Sequence, residues 1–126
     1  MLKQAVECKN EQELIKCLDL GQGMNIEPSQ YYLLEEALTA TWHSQHEDLV
    51  STIYLDGLKD DRFVEPIMNI ALNRDVFRWY DDELESTLRK CVHALKVINS
   101  EKSNQALRKL EELDNSNIKT TLDMYR

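Results

Sequence analysis

Apolar residues recur along the chain at helical spacing. The clearest run is Leu84, Leu88, Cys91, Leu95 and Ile98, at steps of four, three, four and three. Such a run lays one apolar stripe along a helix, expected here over about residues 82–98. Asp82 and Glu85 stand in front of it as a D-x-x-E start signal, in which side-chain oxygens meet free backbone N–H groups. Asn99 and Ser100 are expected to end this helix and start another, with Ala106, Leu107, Leu110 and Leu113 inward. "DNSN" (114–117) reads as a turn, and Ile118, Leu122 and Tyr125 as a last short helix.

The upstream half follows the same pattern. Pro28, with its fixed φ, suits the first position of a helix that turns Tyr31, Leu34 and Leu38 inward. Ser44 and Glu47 form an S-x-x-E capping box before a helix with Leu49, Ile53 and Leu58 inside. "KDDR" (59–62) separates it from a helix carrying Val64, Ile67, Met68 and Ala71. Two short amphipathic segments, 2–8 and 11–18, come first. They are followed by the longest break, "LDLGQGMNIEP" (18–28), where Gly21 and Gly23 read as a helix stop. G-x-G without a preceding strand is a poor phosphate loop. The sum is about eight helices and no strand. The fold expected is all-α, with consecutive antiparallel hairpins stacked side by side in one domain, residues 1–126. Residues 1–27 form an N-terminal cap and residues 28–126 the hairpins.

Composition changes the picture at three points. Only three glycines and two prolines punctuate 126 residues, which suits helices rather than a β-sandwich. Fifteen basic against twenty-three acidic residues give a net charge of −8. Residues 101–126 hold five acids and five bases, so the excess lies in the first hundred. Such a chain repels nucleic acid and anionic membranes and complements a basic protein. Cys8, Cys17 and Cys91 lack paired spacing, which fits a reducing cytoplasm. The first residues lack the apolar run of a signal peptide, and no segment is long enough to span a membrane.

Candidate chemistry begins with His43 and His46, three apart and followed by Glu47 and Asp48. This resembles half a metal site, but H-E-x-x-H is absent. With Ser44 as cap, His43 lies outside the helix and His46 in its first turn, so they do not share a helical face as i, i+3 ligands would. His93, beside the core stripe, reads as packed rather than catalytic. Cys91, on the stripe, reads as an inert thiol. Among the acids of the two turns, Asp60, Asp61, Asp81, Asp82, Glu83 and Glu85, one aspartate in each turn is expected to cap a helix. The rest, with Glu47 and Asp48, are candidates to meet a basic partner. The aromatics Phe77, Trp79 and Tyr80 cluster before the second turn. At least one of Phe77 and Trp79 is expected in the core, and Trp79 and Tyr80 are the candidate interface anchors. Trp42 is expected to staple a helix start, and Tyr54 to point outward.

The second half also carries a resemblance. Arg89 and Lys90, then Cys91, Ala94, Leu95 and Ile98, then the turn at 99–101, then Leu107 and Leu110, resemble HEAT-type helical repeats. "DDRFVEPIMNIAL" (60–72) resembles the outer helix of a preceding repeat. The order "WHxxHEDLV", "DDRFVEPIMNIAL", "YDDELESTLRKCVHAL" is similar to small HEAT-like immunity proteins encoded beside bacterial polymorphic and contact-dependent growth inhibition toxins. The likeness covers residues 31–125. Lys96 and Asn99 depart from it, standing where such repeats often have glycine.

The resemblance implies a cytoplasmic protein that binds one cognate toxin and blocks it. Many such toxins are nucleases with basic clefts, which an acidic inhibitor is suited to occlude. No cofactor, nucleic acid or membrane is expected, and a monomer is the expected state. Two other readings stand beside it: a generic HEAT-like scaffold or regulatory module, and a metal-dependent enzyme using His43 and His46.

Overall fold

The computed structural model describes residues 2–18 and 26–126, which form nine α-helices and no strand. The helix stop expected at Gly21 and Gly23 lies outside the described residues. Helices α1 (Leu2–Glu7) and α2 (Glu11–Leu18) are joined at Lys9, in a left-handed conformation. Asn10 then accepts the Glu13 N–H at 3.1 Å. Pro28 opens a 3-10 turn (Pro28–Gln30) rather than the helix itself, and α3 (Tyr31–Thr39) follows directly.

Helix α4 (His46–Leu55) stops at Gly57, whose φ of +66° lets the Leu58 N–H return to the Ile53 carbonyl at 2.9 Å. This closure turns Leu58 into the core although it lies beyond the helix. As expected of one aspartate in "KDDR", Asp60 accepts the Arg62 N–H and caps a 3-10 turn (Asp61–Phe63) leading into α5 (Val64–Leu72). Helix α6 (Arg74–Phe77) is a single turn, too short for periodicity to reveal. Then come α7 (Ser86–Ile98), α8 (Glu101–Glu111) and α9 (Ser116–Asp123).

The structure corrects three expected helix boundaries. Helix α7 begins at Ser86, not near Asp82, and Leu84 is 64 % exposed rather than the first residue of the core stripe. The Asp82 carboxylate accepts the Leu84 N–H in a tight local turn, and Glu85 takes a left-handed conformation, so the chain enters the helix only afterwards. Leu113 and Tyr125 lie past the ends of α8 and α9 and are exposed. Asn99 takes a left-handed conformation, one that asparagine tolerates, so the turn where such repeats often have glycine closes without it. Ser100 and Ser103 then cap α8 reciprocally.

Helices α3, α5 and α8 pack side by side in one layer, and α4, α7 and α9 in another. The hairpin partners α3–α4, α5–α7 and α8–α9 pack across the layers, and α1, paired with α2, extends the stack by packing on α3. Helices α4, α7 and α9 run parallel. Glu47 near the start of α4 reaches Ser86 and Thr87 at the start of α7, and the later Tyr54 lies against His93. Glu85, just before α7, meets Asn115, just before α9, and His93 meets Tyr125 beyond the end of α9. The two acidic turns accordingly lie at opposite edges. Between the layers the core holds Leu34, Leu38, Leu49, Ile53, Phe63, Ile67, Ile70, Leu88 and Leu95, all fully buried. Cys91 is buried among them, and burial pushes its thiol up to about 12, which leaves it protonated and inert. No described helix is long and apolar enough to cross a membrane.

Candidate functional site

Most of the nominated residues fall on one edge, where α4, α7 and α9 start. His43 and His46 lie beneath it. Both are buried, and their rings stack with centroids 4.3 Å apart, a pairing that spacing along the chain did not reveal. His43 Nε2–H donates to the Ala37 carbonyl at 2.7 Å, and His46 Nε2–H to the Ala40 carbonyl at 2.8 Å. His43 Nδ1 accepts the Gln45 N–H at 2.9 Å. Both nitrogens of His43 and one of His46 are thus engaged in holding the turn before α4, and the tautomers follow from their partners. Burial depresses the basicity of both rings. For His46, burial and the adjacent His43 together lower it to about 4. Among the described residues, no three His, Cys, Asp or Glu side chains come together as metal ligands.

The Ser44–Glu47 capping box does not form. The cap position is Gln45, and no side chain of its own turn caps α4. Ser44 donates its N–H (2.8 Å) and hydroxyl (3.2 Å) to Glu11 of α2, and Gln45 Nε2 donates to the same oxygen. The Ser44 N–H foremost, then Gln45, hold the Glu11 carboxyl below its ordinary range. The Glu47 N–H donates instead to the Tyr80 hydroxyl at 3.1 Å. The Glu47 carboxylate pairs with Lys90 at 2.7 Å and accepts from Ser86 and Thr87. Distant partners outcompete the local box because the edge crowds several helix starts together. Glu47 and Tyr80, nominated for a partner, are occupied within the fold.

Asp81 and Glu85 are removed from the nominated surface altogether. Both are buried, and between them lies the group that sequence reasoning missed, Arg78, only 5 % exposed. Arg78 Nη1 donates to Asp81 Oδ2 at 3.1 Å and to Glu85 Oε2 at 3.0 Å. Its Nε and Nη2 donate to the Ile70 and Ala71 carbonyls at 3.0 and 2.8 Å. Those carbonyls belong to the last turn of α5, so the guanidinium caps its negative end. Asp81 Oδ1 accepts the Thr87 N–H at 3.2 Å, capping the positive end of α7. The ion pair thus bridges one helix end to another. Glu85 also accepts from Asn115 and Asn117 at 3.0 and 3.1 Å. Burial pushes its carboxyl up, but these bonds and the Arg78 charge hold it below its ordinary range. The legible signal was the spacing of Arg78 to Asp81 and Glu85.

Asp48, Asp82, Glu83 and Trp79 remain outward on this edge. Asp75 of α6 joins them, because its neighbour Arg74 donates to the Asp81 carbonyl at 2.6 Å and Phe77 lies edge-on to His46. Among the described residues these four acids make no ion pair within the chain. Phe77 is the aromatic that packs on the core, and Trp79 stays 65 % exposed. Leu72, Val76, Trp79 and Leu84 are four of the nine large apolar side chains exposed in the described chain. Val76, Trp79 and Leu84 lie in the same stretch as Asp75, Asp82 and Glu83, whereas Leu72 lines a groove of α5 and α8 with Met68, Lys102 and Lys109.

Asp60 and Asp61 lie at the opposite edge. Asp60 is taken by its cap and by Arg62 at 3.5 Å, while Asp61 is exposed. Tyr54 is half-buried rather than fully outward. It meets His93 on the face of α4, α7 and α9, where His93 Nδ1 and the Tyr125 hydroxyl share a hydrogen bond. Trp42 packs partly on the core with its ring edge-on to His43, as a staple at the helix start would. Comparison with protein-family models, with curated proteins and with solved structures returns no match.

Proposed function

We propose that this chain is a cytoplasmic immunity protein that binds a cognate bacterial toxin and blocks its active site or substrate groove. The observation that carries the reading is the set of outward acids at the edge where α4, α7 and α9 start. Among the described residues, the exposed carboxylates of Asp48, Asp75, Asp82 and Glu83 make no ion pair, and exposed Val76, Trp79 and Leu84 lie in the same stretch of chain as the last three. A basic toxin cleft supplies those missing cations, and its attraction speeds encounter. The two helix layers, built from consecutive antiparallel hairpins, support the HEAT-type resemblance that first suggested this class. The buried, hydrogen-bonded state of His43 and His46 favours binding over metal-dependent catalysis as their context.

Co-expression tests the proposal. The toxin domain encoded by the open reading frame immediately upstream should kill cells alone and spare those that also make this chain. Death of cells making both proteins overturns the proposal. Absence of any toxic neighbour favours the scaffold reading instead.

A further inference from the structure

We propose that Trp79 is a preset anchor for a basic protein surface bearing an apolar slot of indole size, and that Arg78 is the residue that presets it. This rests on the toxin-neutralising reading and names where and how that partner is gripped.

Three observations carry the inference. Trp79 is 65 % exposed, yet it stands beside the buried Arg78 and two residues before the buried Asp81. The backbone beneath the indole is therefore fixed by the four Arg78 hydrogen bonds already described. A buried ion pair is a weak source of stability, because desolvation offsets the attraction. What it supplies here is one geometry for one loop. Secondly, the indole has a fixed neighbour. Its ring stands edge-on to Tyr80, with centroids 5.6 Å apart, and the Tyr80 hydroxyl is itself held by the Glu47 N–H. An aromatic ordered before binding loses little freedom on binding, which is how a dominant contact is made. Thirdly, Asp75, Asp82 and Glu83, on and beside this loop, are exposed and make no side-chain ion pair among the described residues. The nearby Arg74 and Arg89 are spent on the Asp81, Asp82 and Leu84 carbonyls and on Glu85. A second copy docking face to face would set those acids against themselves, so a basic partner is the occupant they fit.

The test uses the full chain and, as probe, the purified protein encoded by the upstream open reading frame. Trp42→Phe leaves Trp79 as the sole indole, whose emission should change on titration. Trp79→Ala should raise Kd at least ~30-fold with an unchanged melt. Asp82→Asn with Glu83→Gln should slow association several-fold and flatten its dependence on ionic strength. Arg78→Lys, or Glu85→Gln if that variant fails to fold, should add fast local motion to the Trp79 anisotropy decay and weaken binding while leaving the indole in place. An unchanged decay in a folded variant removes Arg78 from the positioning role. Rescue and Kd unaffected by Trp79→Ala overturn the anchor but leave the immunity reading standing. Failure of the parent chain to bind or rescue overturns both. A Trp79-dependent dimer in sedimentation, without binding of the probe, identifies a second copy as the occupant and overturns the basic partner.

Discussion

His46 is neutral in the fold because burial and the neighbouring His43 lower its proton affinity from 6.5 to about 4. The unfolded chain binds a proton there near pH 6.5, so between those values the unfolded state holds more protons and stability rises with pH. A shift of that size corresponds to about 3 kcal/mol, present above pH 6.5 and lost as pH falls towards 4. Urea denaturation across that window should show the decline before the carboxylates titrate. His46→Gln keeps a donor for the Ala40 carbonyl and should flatten most of the slope. An equal slope in the variant would place the titration elsewhere. Gly57 makes a simpler case. An added Cβ meets nothing within 4 Å, so only the φ of +66° resists substitution. Gly57→Ala should cost about 1 kcal/mol by denaturant melt, the strain of a left-handed L-residue.

At the scale of elements, Arg78 ties the end of α5 to the start of α7. Arg78→Met leaves Asp81 and Glu85 buried without their cation and should destabilise by about 3–5 kcal/mol. Urea denaturation measures this, and a loss below ~1 kcal/mol would mean that the network carries no weight. The start of α7 can be tested by its stripe. Leu95→Ala should cost about 2–5 kcal/mol, whereas Leu84→Ser should change stability by less than ~0.5 kcal/mol, because Leu84 lies outside the helix and in solvent. Equal costs would restore the longer helix.

Those two positions also show what the chain made legible. Periodicity located the buried faces of α3, α4, α5, α7 and α8, because burial is the cause of periodicity. The start signals served for α8 and α9 but misplaced α4 and α7, whose first turns are set by other partners. Ser44 is drawn to Glu11, Glu47 to Lys90 and the Tyr80 hydroxyl, and Asp81 to Arg78 and Thr87. A local capping pattern cannot weigh the partners of Ser44 and Glu47, more than thirty residues away, and for Asp81 it overlooked Arg78, three residues before it. The same blindness nominated Glu47, Asp81 and Glu85 for a partner, since a buried carboxylate and a solvated one look alike in a sequence. Asp48, Asp82, Glu83 and Trp79 survive as surface because the fold offers their side chains no cation and, for Trp79, no cover.

At the scale of the molecule, a net charge of −8 is distributed unevenly by use as well as by position. Many carboxylates at the helix starts are neutralised by backbone N–H groups, lysine or arginine. Among those left over, Asp48, Asp82 and Glu83 lie near the starts of α4 and α7, while Asp61 and Glu101 are exposed at the starts of other helices. The first group is the one the proposal assigns to a basic partner. On the proposed reading the chain acts by occupying its target, which makes its effect stoichiometric. The most direct measurement is a titration, with this chain, of the activity of the toxin that the proposal expects the upstream open reading frame to encode. Activity should fall linearly to zero at one equivalent and return as salt is raised. Activity that persists at excess, or that is abolished by a small fraction of an equivalent, would contradict a neutralising partner, the latter by revealing turnover.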